Sequence, residues 1–384
     1  MEETPPSGLP AIFPSRREIG SHPVAALETP PVARNGGAKN SPPLRGRCLR
    51  NRQRGVLLTF LLTLSLLAAP AAAQSPLIED ITVDARQITN FHIGRSETRF
   101  GPLEFVGGLS LTGTGDFGAL SAIRFLDAGA NFIGLADTGF WFTGKVDRDE
   151  KYRPTGISGF RMQPMVDAAG TPIEGKWETD AEGLAIRDGT ATATFEREHK
   201  ILEFRLAPGA MGAATGALDY LVPKGELRQN RGFEAIAHAP AGGPLAGARV
   251  AVTERSVDGD GNSFAAILEG PLKGVFKVAR SGDFDITDGA FLPDGDLLLL
   301  ERRFAMATGV AMRLRRIEAA TIRPGGLADG PVLLEADMAY QIDNMEGMDV
   351  WRREDGALVV SLLSDDNHSI LQRNLYLEFV LTGE

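Results

Sequence analysis

The chain has 384 residues, with 40 Lys and Arg against 50 Asp and Glu and a formal net charge of −10. That acidic balance argues against non-specific binding to nucleic acid or anionic lipid, both of which need a cationic surface. A single cysteine, Cys48, excludes a fold stapled by internal disulfides.

Residues 1–44 are rich in Pro, Gly and Ser and carry no hydrophobic period. They read as a disordered extension, or as sequence upstream of the true start codon. Residues 45–73 have the three parts of a secretory signal peptide. These are the basic cluster Arg45, Arg47, Arg50, Arg52 and Arg54, an apolar run from Val56 to Ala69, and Ala71-Ala72-Ala73. The apolar run is shorter than the about 20 residues that a spanning helix needs. Cleavage after Ala73 is expected, giving a periplasmic or secreted protein with no membrane span. The remaining chain, 74–384, reads as a single domain. It would hold no cysteine, hence no thiol nucleophile and no Cys-ligated metal, and 31 basic against 46 acidic residues, a net charge of −15.

Within that domain one short pattern returns. Asp180-Ala181-Glu182-Gly183-Leu184-Ala185-Ile186 has near-copies at Gly232-Phe233-Glu234-Ala235-Ile236-Ala237, at Thr287-Asp288-Gly289-Ala290-Phe291-Leu292 and at Asn344-Met345-Glu346-Gly347-Met348-Asp349-Val350. A weaker copy, with serine in the acidic place, is Leu120-Ser121-Ala122-Ile123. The key residues, 121, 182, 234, 288 and 346, recur at intervals of 52 to 61 residues, a period of propellers, solenoids or arrays. Most copies lead into a Gly turn, at Ala128-Gly129, Asp188-Gly189, Asp294-Gly295 and Asp355-Gly356. Asp-Gly between apolar runs marks a hairpin, because the turn needs positive φ. The unit around Glu234 has a Pro/Gly/Ala loop, 238–247, instead. Runs such as Leu297-Leu298-Leu299-Leu300 lack polar alternation and read as strands buried on both faces. Repeated antiparallel sheets with no long helix give an all-β fold, a β-propeller. Five visible units, plus strand material at 79–119 and 374–381 that should pair the two chain ends in one blade, give an expectation of six blades, with five as the alternative. Residues 142–177 read either as a functional insertion or as two outer strands with long turns.

The second strand of each hairpin ends in polar residues: Asp137, Glu196-Arg197, Glu254-Arg255, Glu301-Arg302 and Asp365-Asp366-Asn367. In a hairpin, the start of the first strand and the end of the second lie at the same end. Glu182 should therefore meet Glu196, Glu234 meet Glu254, Asp288 meet Glu301, and Glu346 meet Asp365. With the first strand innermost, these acids ring the mouth of a central channel. Clustered carboxylates take up protons or bind a cation, and oxygen-only ligands favour calcium or magnesium over zinc. Asp137, Glu182, Glu234, Asp288, Glu346 and Asp365 are the metal-ligand candidates. The alternative is that each acid binds backbone N–H groups at its own blade entrance. Glu182, Glu196, Glu254, Glu301 and His199 are the candidate catalytic groups. Arg197, Arg255 and Arg302 would grip phosphate or carboxylate, or pair with acids of neighbouring blades. No G-x-S-x-G elbow exists, so Ser121 and Ser256 are nucleophile candidates by type only.

Asn344-Met345-Glu346-Gly347-Met348, followed by Gly356-Ala357-Leu358-Val359-Val360-Ser361 and Ser364-Asp365-Asp366-Asn367, resembles the E-G-L strand, turn and S-x-x-N-N segment of β-propeller phytases. The wider pattern, with Asp137-Thr138-Gly139-Phe140-Trp141 and Asn230-Arg231-Gly232-Phe233-Glu234, resembles the phytase-like family, also called esterase-like activity of phytase, over roughly residues 100–381. The resemblance implies a six-bladed propeller, calcium as cofactor and an esterase or phosphoesterase activity on a small molecule, with Asn230 and Asn367 among the substrate contacts. The D-D-P-A motif of true phytases is absent, so their full set of calcium and phosphate sites is not expected. A metal-dependent hydrolase of phosphate or carboxylate esters, a lactonase-like propeller and a non-enzymatic ligand-binding propeller are the three readings this leaves.

Overall fold

The computed structural model describes residues 78–383; the expected extension and signal peptide lie outside them. Five sheets follow one another along the chain, antiparallel except for the short edge strand Leu327–Ala328, which pairs parallel to Gly274–Val278. Their innermost strands are Leu120–Phe125, Ala181–Arg187, Phe233–His238, Asp285–Phe291 and Asn344–Arg352, which open blades 1 to 5. Each of these strands lies against the innermost strands of both neighbouring blades, and the fifth meets the first, so the ring closes.

The expectation of six blades is corrected to five. The N-terminal strands Val83–Ile88 and Leu103–Gly113 build no blade of their own. Leu103–Gly113 pairs along the C-terminal strand Asn374–Leu381, and both complete blade 5 outside Leu358–Asp365. Strands from both ends of the described chain thus share a sheet, so each covers an edge that the other would leave open. Residues 142–177 resolve into outer strands: Phe140–Arg148 and Pro154–Pro164 are the third and fourth strands of blade 1, edged by Glu79–Asp80, and within this stretch only the single turn Lys176–Thr179 is helical. Among the described residues no helix is long and apolar enough to cross a membrane.

Five hydrophobic clusters form the core of the described chain, each between two neighbouring blades. The run Leu297 to Leu300 is buried throughout because one face packs on blade 3 and the other on blade 5. Trp141 and Phe142 also belong to the core rather than to the channel mouth. The glycines of the tight turns sit where expected, with Gly189, Gly295 and Gly356 at φ of 75°, 100° and 89°.

A β-bulge recurs in every inner hairpin. The register slips at Ser121, at Glu182-Gly183, at Glu234, at Thr287 and at Glu346. The bulge leaves one residue unpaired and turns it out of the ladder, so the repeated acid and the repeated irregularity are one feature. The small residue that follows has its own cause. A Cβ on Gly183 would lie 2.4 Å from the carbonyl oxygen of Glu234 in the next blade, so the E-G dipeptide is a close approach between inner strands.

Candidate functional site: an acid cavity at the propeller mouth

Aligned on the bulges, the innermost strands contribute Ser121, Glu182, Glu234, Thr287 and Glu346 at one level. The residues at the matching end of the second strands are Asp137, Glu196, Glu254, Arg302 and Asp365. All of these except Thr287 line one cavity of about 250 Å³, together with Lys176, Asp180, Arg197, Asn230 and Asn367. Asn230 and Asn367 hold left-handed backbone, at φ of 53° and 48°, which Asn tolerates better than most residues.

Blade 4 therefore departs from the sequence alignment by one residue. Thr287, not Asp288, stands at the bulge, and Arg302, not Glu301, stands at the hairpin end. Successive strand residues point to opposite faces, so a slip of one removes both acids from the cavity. Asp288 lies fully buried, with its carboxylate bound by both terminal nitrogens of Arg124 at 2.8 Å and by the Met348 N–H at 2.8 Å. Glu301 accepts from Arg313 and from Arg315, the latter at 2.5 Å. Neither can act on a ligand in the cavity. His199 and Arg255 are also outside it. His199 lines a separate groove with Trp177 and Lys224, and burial beside Lys224 lowers its pKa. Arg255 lies 3.4 Å from Asp285.

Arg124, outside the cavity lining, joins several inner strands. Its guanidinium spans the axis one layer deeper, donating to the Met348 carbonyl at 2.5 Å and the Ile123 carbonyl at 2.7 Å as well as to Asp288. The strands of blades 1, 4 and 5 are thus tied together.

Eight carboxylates line the cavity: Asp137, Asp180, Glu182, Glu196, Glu234, Glu254, Glu346 and Asp365. Lys176, Arg197 and Arg302 are the three cations. Lys176 contacts Asp137 closely and lies 3.5 Å from Asp180; Arg197 donates to Asp180 at 2.6 Å. Arg302 bridges two blades, 2.9 Å from Glu346 and 3.7 Å from Glu254. Five carboxylates exceed the available cations. Among the described residues no donor reaches Glu182 or Glu234, and Glu196 receives only the Gly232 N–H at 3.4 Å. The buried Asp137 Oδ1 and Asp180 Oδ1 also lack a hydrogen bond.

The titration behaviour follows. Burial and the neighbouring acids push Glu182 and Glu234 well above the usual carboxylate range. Burial, then Glu254 and Asp180, raises Glu196 to about 8. Burial raises Glu346 to about 7 despite Arg302, and Asp365 to about 6. Such a site holds protons or a cation. Two trios bring their oxygens within 4.8 Å of one another: Asp180, Glu182 and Glu196, and Glu196, Glu234 and Glu254. Their all-oxygen chemistry fits a hard divalent cation.

Sequence reasoning missed Asp180 and Lys176 as site residues. Asp180 precedes its strand, at the place that Asp285 and Asn344 hold in blades 4 and 5, and Lys176 arrives on the single helical turn. The pattern of the phytase-like family, described as esterase-like activity of phytase, matches residues 115–368. The chain belongs to the phytase-like family. That match takes in the whole acid cavity, from Ser121 to Asn367. No curated protein matches this phytase-like chain. Three solved structures are weakly similar to the chain in shape. An endo-arabinase from Bacteroides thetaiotaomicron has 10% identity and a TM-score of 0.43, covering 70% of this chain and 94% of its own. The PQQ-bound aldose sugar dehydrogenase of Streptomyces coelicolor has 14% identity and a TM-score of 0.40, covering 79% and 99%. The Swd1 β-propeller domain of Myceliophteria thermophila has 11% identity and a TM-score of 0.31, covering 66% and 67%.

Proposed function

We propose that this phytase-like propeller is an exported, divalent-cation-dependent hydrolase of phosphate or carboxylate esters, with calcium as the cation that suits its ligands. The observation that carries the reading is the pair of carboxylate trios sharing Glu196, in a cavity whose negative charge its own Lys and Arg do not neutralise. The family's description supports the ester chemistry, and residues 45–73 support export.

Asp180, Glu182 and Glu196, or Glu196, Glu234 and Glu254, would hold the cation. When bound, it supplies Lewis-acid polarisation of the substrate's phosphoryl or carbonyl oxygen and a lowered pKa for water. The remaining groups have separate work. Glu346 stands outside both trios. Its Oε1 is held by Arg302 at 2.9 Å and by the Asn344 amide at 2.8 Å. Its Oε2 is free of donors among the described residues, and so is placed to take the proton of an attacking water. Arg302 and Lys176 supply positive charge at the wall, where the anionic oxygen of the reaction develops. The balance is one ester and one water giving one acid and one alcohol, with the water proton passing through Glu346 to the leaving oxygen.

The test is hydrolysis of p-nitrophenyl phosphate and p-nitrophenyl acetate by the purified protein with calcium and with EDTA. Turnover of either ester that EDTA abolishes and calcium restores is the expected result. Turnover unaffected by EDTA, or none with any divalent cation, contradicts the reading.

A further inference from the structure

Beside the acid cavity, on the blade 4 and blade 5 side, lies a second groove of about 570 Å³ with a different character. Phe304, Val310, Met338 and Leu371 line it, and Arg302 and Asn367 line it too. Those last two residues also line the acid cavity, so the two spaces share a wall. Three separate segments converge here: the tip of the hairpin that joins strands Leu297–Ala305 and Gly309–Ile317, the loop before blade 5, and the loop 366–373. The five most exposed large hydrophobic residues described all fall in them, Phe304, Met338 and Leu371 on the groove itself and Met306 and Ile370 on the same segments outside its lining. Single exposed apolar residues are ordinary, but a convergent set marks a binding surface. Met338 is held in place from below. A Cβ on Gly309 would meet its Cγ at 2.9 Å, so the glycine makes room for the side chain.

We propose that this groove holds the apolar arm of the ester whose reacting group sits in the acid cavity, so that the substrate is an ester with an alkyl, acyl or aryl arm rather than a small polyanion. The inference rests on the hydrolase reading of the cavity. Continuity commits the groove to that occupant, since a group bound beside Arg302 and Asn367 is already at its edge. The −15 charge of residues 74–384 gives a polyanionic substrate no long-range attraction, whereas an apolar arm needs none.

The test is calorimetric titration of the calcium-loaded protein with n-alkylphosphonates from ethyl to octyl, for the wild type and for Phe304→Ser/Leu371→Ser. Both substituted side chains are exposed, so folding is not at stake. Each buried methylene is worth about a fourfold gain in affinity. The expected result is a rise of at least about tenfold from ethyl to octyl in the wild type and of less than about threefold in the double variant, with ethylphosphonate bound equally by both. Short phosphonates bound in an EDTA-sensitive way with no chain-length dependence would overturn the groove and leave the cavity reading intact. Unchanged chain-length dependence in the double variant, or octylphosphonate bound equally well in EDTA, would show that groove and cavity do not share a ligand. No binding at any length would remove both.

Discussion

Arg124 and Asp288 face each other across the propeller axis, each terminal guanidinium nitrogen 2.8 Å from a carboxylate oxygen. The pair joins blades 1 and 4, which are not neighbours, and sits almost wholly out of solvent. Removing one partner strands the other as a buried charge, which costs about 3–5 kcal/mol. Asp288→Ala is therefore expected to lower stability by that order, read from the midpoint of urea unfolding. Replacing both, as Arg124→Met with Asp288→Leu, should cost clearly less. Equal losses in the single and double variants would remove the cross-axis pair as a source of stability.

A second prediction separates structural from functional acids. Glu301 serves Arg313 and Arg315, so Glu301→Gln should destabilise the fold by about 3 kcal/mol and change calcium affinity by less than about twofold. Glu182→Gln should do the reverse. It removes a ligand, lowering calcium affinity by at least about tenfold, and it relieves repulsion, raising the melting temperature of metal-free protein at pH 8. Urea unfolding and calcium titration of the two variants check both halves.

Stability should depend on pH in a direction opposite to the common carboxylate case. Glu196, Glu346 and Asp365 have folded pKa values of about 8, 7 and 6, above the 3.9 to 4.3 of unfolded Asp and Glu. The native state then binds more protons than the unfolded state between roughly pH 4 and 8, so these groups lose stability as pH rises through that window. In metal-free protein the melting temperature should fall from pH 5 to pH 8. Calcium should restore it strongly at pH 8 and weakly at pH 5. A calcium-induced shift that is the same at both pH values would contradict this.

Export is checked separately. Expressed with residues 45–73 in a secretion-competent bacterium, the mature protein should begin at Gln74 by intact mass; an uncleaved chain would contradict the signal reading.

Much of this was legible in the sequence because the propeller repeats its chemistry. The Asp-Gly turns and the E-G dipeptides report local backbone demands, a positive φ and a missing Cβ, and such demands leave residue-type marks. The blade count was not legible. Leu103–Gly113 looks like any strand, and its pairing with Asn374–Leu381 is a contact between chain ends that no local pattern records. The slip in blade 4 has a related cause. Asp288 and Glu301 match the acids of other units in type, yet a bulge at Thr287 sets the register, and a one-residue shift reverses every side chain. Asp180 escaped notice because it stands just before its strand. Arg302, read as one member of a Glu-Arg pair, turned out to be the blade 4 counterpart of Glu196, Glu254 and Asp365.

The shared position of Glu196 in both carboxylate trios makes one measurement decisive: calorimetric calcium titration of metal-free wild type and Glu196→Gln at pH 8. The predicted result is at least one calcium per chain in the wild type, and loss of that binding in Glu196→Gln. A wild type that takes up no calcium, or a Glu196→Gln protein that binds it as the wild type does, would contradict the acid cavity as a cation site.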